Sequence, residues 1–189
     1  MKINKRLILA SKSPRRYELL NPHFDKTEIV TKDVKEEYFA TTPAEIVVEL
    51  AKLKLADLPK IYPNDIVIAG DTIVWFKTKV YGKPKDRQDA FRMLKELSGN
   101  CHQVYSGFAV AYKGQVVTGY DKSDIIFKCL SDEMIENYIN SGSPLDKAGS
   151  YGVQDGVVVE RFSGDINTII GLPLDKILSV CKELIFTYE

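Results

Sequence analysis

Residues 65–76, DIVIAGDTIVWF, constrain the fold more than any other stretch of the chain. Ile66, Val67, Ile68 and Ala69 form one apolar run, and Ile73, Val74, Trp75 and Phe76 form another. Neither alternates apolar with polar residues, as a strand with one wet face would. Both are expected to be strands covered on their two faces, which calls for helices packed on a sheet. Gly70, Asp71 and Thr72 separate the runs. A two-residue hairpin turn is one reading, because a leading glycine suits it. The other is a carboxylate held against the core, which is costly unless it is paired or coordinated. Proteins accept that cost mostly at functional positions, so Asp71 ranks first among the candidate catalytic residues.

The amino-terminal stretch, residues 7–20, is the second strong signal. Leu7-Ile8-Leu9-Ala10 reads as a strand and Tyr17-Glu18-Leu19-Leu20 as helix, with Ser11-Lys12-Ser13-Pro14-Arg15-Arg16 between them. Ser13 is expected as the N-cap, with Pro14 at the first helical position. Arg15 and Arg16 then sit in the first turn, where each costs about 0.3–1 kcal/mol against the helix dipole. A bound anion would reverse that sign. Free N–H groups, the Ser11 and Ser13 hydroxyls and two guanidiniums make a phosphate cradle; a solvated helix start with unfavourable charges is the competing reading.

The rest of the chain alternates strands and helices. Residues 27–31 read as a short strand, and 32–37 as a charged loop whose acids are solvated or bind metal. Thr42-Pro43-Ala44-Glu45 starts a helix running to about Leu58, with Ile46, Val47, Leu50, Ala51 and Leu53 inward. Lys54 lies on or beside that face, either snorkelling to water or reaching toward an anion. Residues 80–86 form a turn with Gly82, Lys83 and Pro84 but lack the P-loop frame. Asp86 caps a helix over 87–97, with Ala90, Phe91, Leu94 and Leu97 inward. Strands follow at 108–112, 115–119 and 124–130, the first two joined by a Lys113-Gly114 turn. A helix begins at Ser131 and ends near Gly142. Residues 143–154 are rich in turns and read either as a plain surface loop or as a ligand loop, in which Tyr151 would stack on a base and the Gln154 amide would donate and accept. A strand at 157–162 and a helix from Gly171-Leu172-Pro173 to about Phe186 complete an α/β domain with a mixed sheet.

Composition removes several function classes. Lys plus Arg and Asp plus Glu are 26 each, so no net charge draws the chain to nucleic acid or an anionic membrane. Cys101, Cys129 and Cys181 are odd in number and scattered, as expected of reduced, partly buried thiols in a cytoplasmic protein. The amino-terminal apolar run is too short for a signal peptide, and no stretch reaches the length of a membrane span. Neither His23 nor His102 has a partner at metal spacing, and both are expected as packed or surface histidines.

The motifs LASKSPRR, AGDTIV, YGKPKD, HQVYSG, DKAGSYGVQD and GLPL stand in this order and cover nearly the whole chain. In these the sequence resembles the Maf family of nucleoside triphosphate pyrophosphatases, also described as septum-formation inhibitors. The resemblance implies one domain over residues 1–189, an elongated, two-lobed α/β fold of the ITPase/Maf type with a mixed twisted sheet and a central cleft. It implies hydrolysis of a nucleoside triphosphate to the monophosphate and pyrophosphate, dependent on Mg²⁺ or Mn²⁺. Asp71 matches the family's catalytic aspartate. Arg15, Thr72 and Gln154 match the specificity positions of the branch that cleaves dTTP and UTP. Arg16, Lys54, Lys83 and Lys147 match the phosphate-holding positions, joined by Ser11 and Ser13 of the cradle. Glu36 and Asp71 are the implied metal ligands. The loop Ser163-Gly164-Asp165-Ile166-Asn167 diverges from the family pattern in its middle, and two further positions depart from it. Asp33-Val34-Lys35-Glu36 carries lysine where the family has a second acid, and Asp155 follows Gln154 where glycine is usual.

Gln154 suits uracil or thymine, since its amide accepts from the ring N–H and donates to a carbonyl. The alternatives are the family's 7-methyl-GTP branch and a non-catalytic nucleotide-binding regulator of cell division. A nucleic-acid-binding module lacks the basic stripe it would need. The resemblance leaves a homodimer open.

Overall fold

The computed structural model describes residues 2–188. In chain order the elements are β1 (Ile3–Leu9), α1 (Pro14–Leu20), β2 (Phe24–Ile29), α2 (Pro43–Leu55), α3 (Leu58–Ile61), β3 (Ile66–Phe76), β4 (Lys79–Tyr81), α4 (Arg87–Leu97), β5 (Cys101–Tyr112), β6 (Gln115–Phe127), α5 (Asp132–Asn140), β7 (Val159–Ser163), α6 (Ile166–Ile170) and α7 (Leu174–Tyr188). The strands form a seven-stranded sheet in the order β2-β1-β3-β5-β6-β7, with β4 paired to β3. Strand β1 runs parallel to β2 and β3, while β4 and β7 run antiparallel to β3 and β6. The expected mixed α/β architecture is therefore present.

The chain divides into two compact units. The first takes the chain as far as Asp71, then Ser106–Asp121, then everything from Gly171; the second takes Thr72–Tyr105 and Lys122–Ile170. In the first unit the sheet is covered on both faces. Leu7, Leu9, Ile66 and Ile68 pack with Leu20 of α1, Leu172, and Ile177 and Cys181 of α7. Ile8, Val67 and Ala69 pack with Ala51 and Leu55 of α2 and Leu58 of α3. Successive strand residues thus alternate between two cores, and that is why residues 66–69 are apolar without a break. The second unit holds one core, where Val74 and Phe76 of β3 meet Leu94 and Leu97 of α4, Ile135 and Ile139 of α5, and Phe127 and Tyr151.

Three helix starts follow their sequence signals. Thr42 accepts from the Glu45 N–H at 3.4 Å, Asp86 from Asp89 at 2.8 Å and Ser131 from Met134 at 3.2 Å. Ser13 differs: it occupies the N-cap position of α1 but makes no side-chain capping bond, and its own N–H donates to Ser11 Oγ at 3.2 Å. Helix α2 stops at Leu55 because Ala56 turns to φ 27°, and α3 restarts at Leu58. Leu55 replaces Leu53 on the buried face of α2, and Met93 replaces Phe91 on that of α4. Strand β2 begins earlier than expected, at Phe24. Residues 115–127 form one strand where two were expected, since the polar stretch 120–123 stays in the ladder instead of breaking it. Helix α6 was not foreseen. Lys113 and Gly114, at φ 50° and 82°, make the tight turn joining β5 and β6. Cys101 and Cys129 are exposed, which corrects the expectation of partial burial; only Cys181 is buried.

Candidate active site

Strand β3 runs unbroken through Gly70, Asp71 and Thr72, which overturns the turn reading. Gly70 is needed for close packing. A Cβ there would lie 2.5 Å from Leu172 Cδ2 and 3.2 Å from the Gly107 carbonyl oxygen. The next residue, Asp71, is 7% exposed. Its carboxylate accepts a hydrogen bond from Lys54 Nζ. The same ammonium lies 2.8 Å from Glu36 Oε1. Lys54 therefore does not snorkel into water; its charge ends between two carboxylates.

A second glycine explains how α2 delivers this lysine. A Cβ at Gly107 of β5 would lie 2.5 Å from both the carbonyl carbon and oxygen of Val47. The backbone of α2 therefore rests directly on β5 at Val47. Lys54 comes seven residues, about two turns, later on the same helix face. A glycine inside an apolar strand is the sequence signal for such an approach, and it was present in HQVYSG.

Arg16 joins this group. The residue is half-buried, with its charged end inside. Nε donates to the Gly171 carbonyl at 3.0 Å and Nη1 to the buried Ser11 Oγ at 3.2 Å. Burial pulls the guanidinium below its ordinary value; Asp71 opposes that pull, Arg15 adds to it and Glu36 opposes it. The first unit thus gathers Ser11, Arg16, Glu36, Lys54 and Asp71. Lys35, one of the departures from the family pattern, pairs with Glu37 and so does not compete for Glu36.

Among the described residues, no three His, Cys, Asp or Glu side chains gather as a ready metal cage. Asp71 and Glu36 are two carboxylates converging on one cation. That donor set fits an ion such as Mg²⁺, which typically takes one or two carboxylates and completes its shell with water and substrate phosphates.

Of the remaining candidates, Ser13 and Arg15 stand half-buried at the start of α1 in the first unit, and the others lie in the second. Thr72 follows Asp71 on β3 and is half-buried; Lys83 is exposed in the loop after β4. Lys147 is 9% exposed and donates to the Ser143 carbonyl, to Ser143 Oγ at 2.9 Å and to Asp146 Oδ1 at 2.9 Å. Gln154 is exposed on the 3₁₀ turn Val153–Asp155. Gly152 leaves room for two of these side chains: a Cβ there would lie 2.9 Å from both Gln154 Nε2 and Lys147 Cε.

Tyr151 is not a stacking platform for a base. It is 5% exposed, and its ring meets Phe127 and His102 edge-on at 4.7 and 5.4 Å between centroids. Its hydroxyl lies 2.8 Å from His102 Nε2, while His102 Nδ1 is buried without a hydrogen-bond partner. Burial pushes His102 down to about 4 and raises Tyr151 well above its ordinary value, so both are neutral at neutral pH. His102 is a packed histidine, one of the two readings expected of it.

The chain is similar to known proteins over nearly its whole length. The family model described as Maf-like protein matches residues 6–184. The chain is 41% identical over 177 residues to the dTTP/UTP pyrophosphatase of Thermosipho africanus, covering 93% of this chain and 91% of that protein. It is 40% identical over 182 residues to that of Bacillus cytotoxicus, covering 95% of each, and 38% identical over 180 residues to that of Pyrococcus furiosus, covering 94% and 95%. Among solved structures, the Staphylococcus aureus Ham1 protein aligns with a TM-score of 0.46 at 14% identity, over 65% of this chain and 72% of that one. A nucleoside-triphosphatase / dITP/XTP pyrophosphatase from Mycobacterium abscessus aligns with a TM-score of 0.44 at 15% identity, over 94% and 93%. With a matching family model over nearly its full length, the chain belongs to the Maf family.

Proposed function

We propose that this protein hydrolyses dTTP and UTP to the nucleoside monophosphate and pyrophosphate, with the aid of Mg²⁺ or Mn²⁺. The observation that carries this reading is Asp71, a buried carboxylate on an unbroken strand with Lys54 on it and Glu36 on the same lysine. The names of relatives about 40% identical over nine-tenths of both lengths supply the substrate.

In this reading Asp71 is the general base. A water attacks the α-phosphorus, the bond between that phosphorus and the bridging oxygen breaks, and the water's proton passes to the carboxylate as pyrophosphate leaves. Asp71 and Glu36 would hold the metal ion, which when bound supplies charge neutralisation to the phosphate oxygens. Arg16 and Lys54 keep positive charge beside these two acids, so a polyanion does not meet bare carboxylates. Catalysis of phosphoryl transfer rests mainly on such positioning and neutralisation. Lys83 and Lys147 are assigned to phosphate, and Arg15, Thr72 and Gln154 to the base, by family correspondence.

Pyrophosphate release from dTTP, UTP and 7-methyl-GTP by the purified protein, with Mg²⁺ and with Mn²⁺, tests the assignment. The two pyrimidine nucleotides should be the faster substrates. Faster turnover of 7-methyl-GTP would move the protein to the other branch, and no pyrophosphate from any of them would favour the non-catalytic regulator.

A further inference from the structure

Asp155, which stands where the family usually has glycine after Gln154, has no role assigned above, yet it sits at the centre of a chain of hydrogen bonds. Its Oδ2 accepts from the Tyr138 hydroxyl of α5 and from Ser143 Oγ at 2.8 Å. The Tyr138 oxygen in turn accepts from the Gly152 N–H at 3.0 Å. Ser143 Oγ in turn accepts from Lys147 Nζ at 2.9 Å. One carboxylate oxygen therefore joins two paths. One runs through Tyr138 to Gly152, two residues before Gln154 and packed against its amide. The other runs through Ser143 to Lys147, whose stem also packs on Gly152.

Tyr138 is 4% exposed, so its hydroxyl has little water to turn to if either partner is lost. Gly156, at φ 67°, supplies the left-handed residue that closes the turn. Asp155 itself does not take a positive φ, so a side chain at this position carries no backbone strain. Charge-assisted bonds to hydroxyls are stronger than neutral ones, so this acid is well suited to clamp a short turn on a helix.

We propose that Asp155 is a positioning residue for base recognition: held between the Tyr138 and Ser143 hydroxyls, it locks the turn bearing Gln154 onto α5 and sets the pyrimidine preference. The second half of this statement rests on the pyrimidine triphosphatase reading above. The clamp itself does not depend on it.

Two readouts on full-length protein separate them. The first is amide hydrogen exchange at Gly152 without substrate, in wild type, Asp155→Ala, Asp155→Asn and Tyr138→Phe. Exchange should speed by about tenfold or more in Asp155→Ala and Tyr138→Phe, and Asp155→Asn, which still offers an acceptor oxygen, should return most of the protection. The second is the ratio of kcat/KM for dTTP to that for dGTP, which should fall about tenfold in Asp155→Ala, chiefly through KM for dTTP, and recover in Asp155→Asn. Unchanged exchange in Asp155→Ala overturns the clamp. Faster exchange with an unchanged ratio in an active enzyme overturns the selectivity role. A wild type inactive on both nucleotides refutes the functional reading, while the exchange result still decides the clamp. Should Asp155→Ala fail to fold, Asp155→Ser, which also removes the carboxylate, carries both readouts, with the same outcomes for and against.

Discussion

Asp71 and His102 are both ionisable side chains buried on strands, at 7% and 2% exposure, and the protein treats them in opposite ways. Asp71 has a cation delivered to it by α2, and that cation also contacts Glu36. His102 faces Phe127 and Tyr151 and has no charged partner among the causes of its depressed pKa, which is burial alone. Burial beside a counter-charge maintains a charge ready for chemistry, whereas burial among aromatic rings removes it. The first arrangement is the one proposed as a reaction centre, and the second belongs to the core.

The largest expected effect breaks the first half of that contrast. Asp71→Asn keeps the shape but removes the base, and kcat for pyrophosphate release should fall by about 10²–10⁴ with the fold retained. Wild-type rates in the variant would show that Asp71 is not the base.

His102 tests the second half through pH. In the folded chain it titrates at about 4, against 6.5 for the ordinary value. Between those values the unfolded chain binds a proton that the folded chain excludes. The contribution is thus fully present above pH 6.5 and is lost as pH falls toward 4, to a total of about 3 kcal/mol. Urea unfolding at stepped pH should show this slope in wild type and a flatter one in His102→Gln.

Lys54→Met asks how far the cation sustains Asp71. Leaving the acid buried without its partner should cost about 2 kcal/mol, a reduced figure because the lysine side chain is 18% and that of Glu36 56% exposed. Adding Asp71→Asn to Lys54→Met should recover most of the loss, and a double-mutant cycle in denaturant measures the coupling. The smallest effect concerns the neutral centre. Tyr151→Phe deprives His102 Nε2 of its hydroxyl and should cost about 1 kcal/mol in the same assay, with the aromatic packing intact.

Much of this was legible in the chain, and the pattern of what was not is instructive. The caps at Thr42, Asp86 and Ser131 were readable because a cap acts over three residues. The two-sided burial of residues 66–69 was readable because it removes every polar residue from the run. Asp71 was recognisable as an anomaly in that apolar context, yet its place in a turn or a strand was not. The partners of Lys54, the inward position of Tyr151 and the failure of Ser13 to cap had no local signal. Asp155 was noticed only as a departure from a family pattern; its bonds to Tyr138 and Ser143 were invisible in one dimension.

The amino-acid sequence by itself determined the alternation of strands and helices, most helix starts and the identity of the buried acid, since each depends on residues within a turn or a short strand of one another. Only the tertiary structure decided what those residues do. Lys54 meets Asp71 across 17 positions, His102 meets Tyr151 across 49, and Arg16 meets the Gly171 carbonyl across 155. Such contacts are made by elements that pack because of their apolar faces, and a glycine such as Gly107 sets how closely they approach. The charged groups that meet there are carried into place by that packing, and no local pattern in the chain encodes which of them will touch.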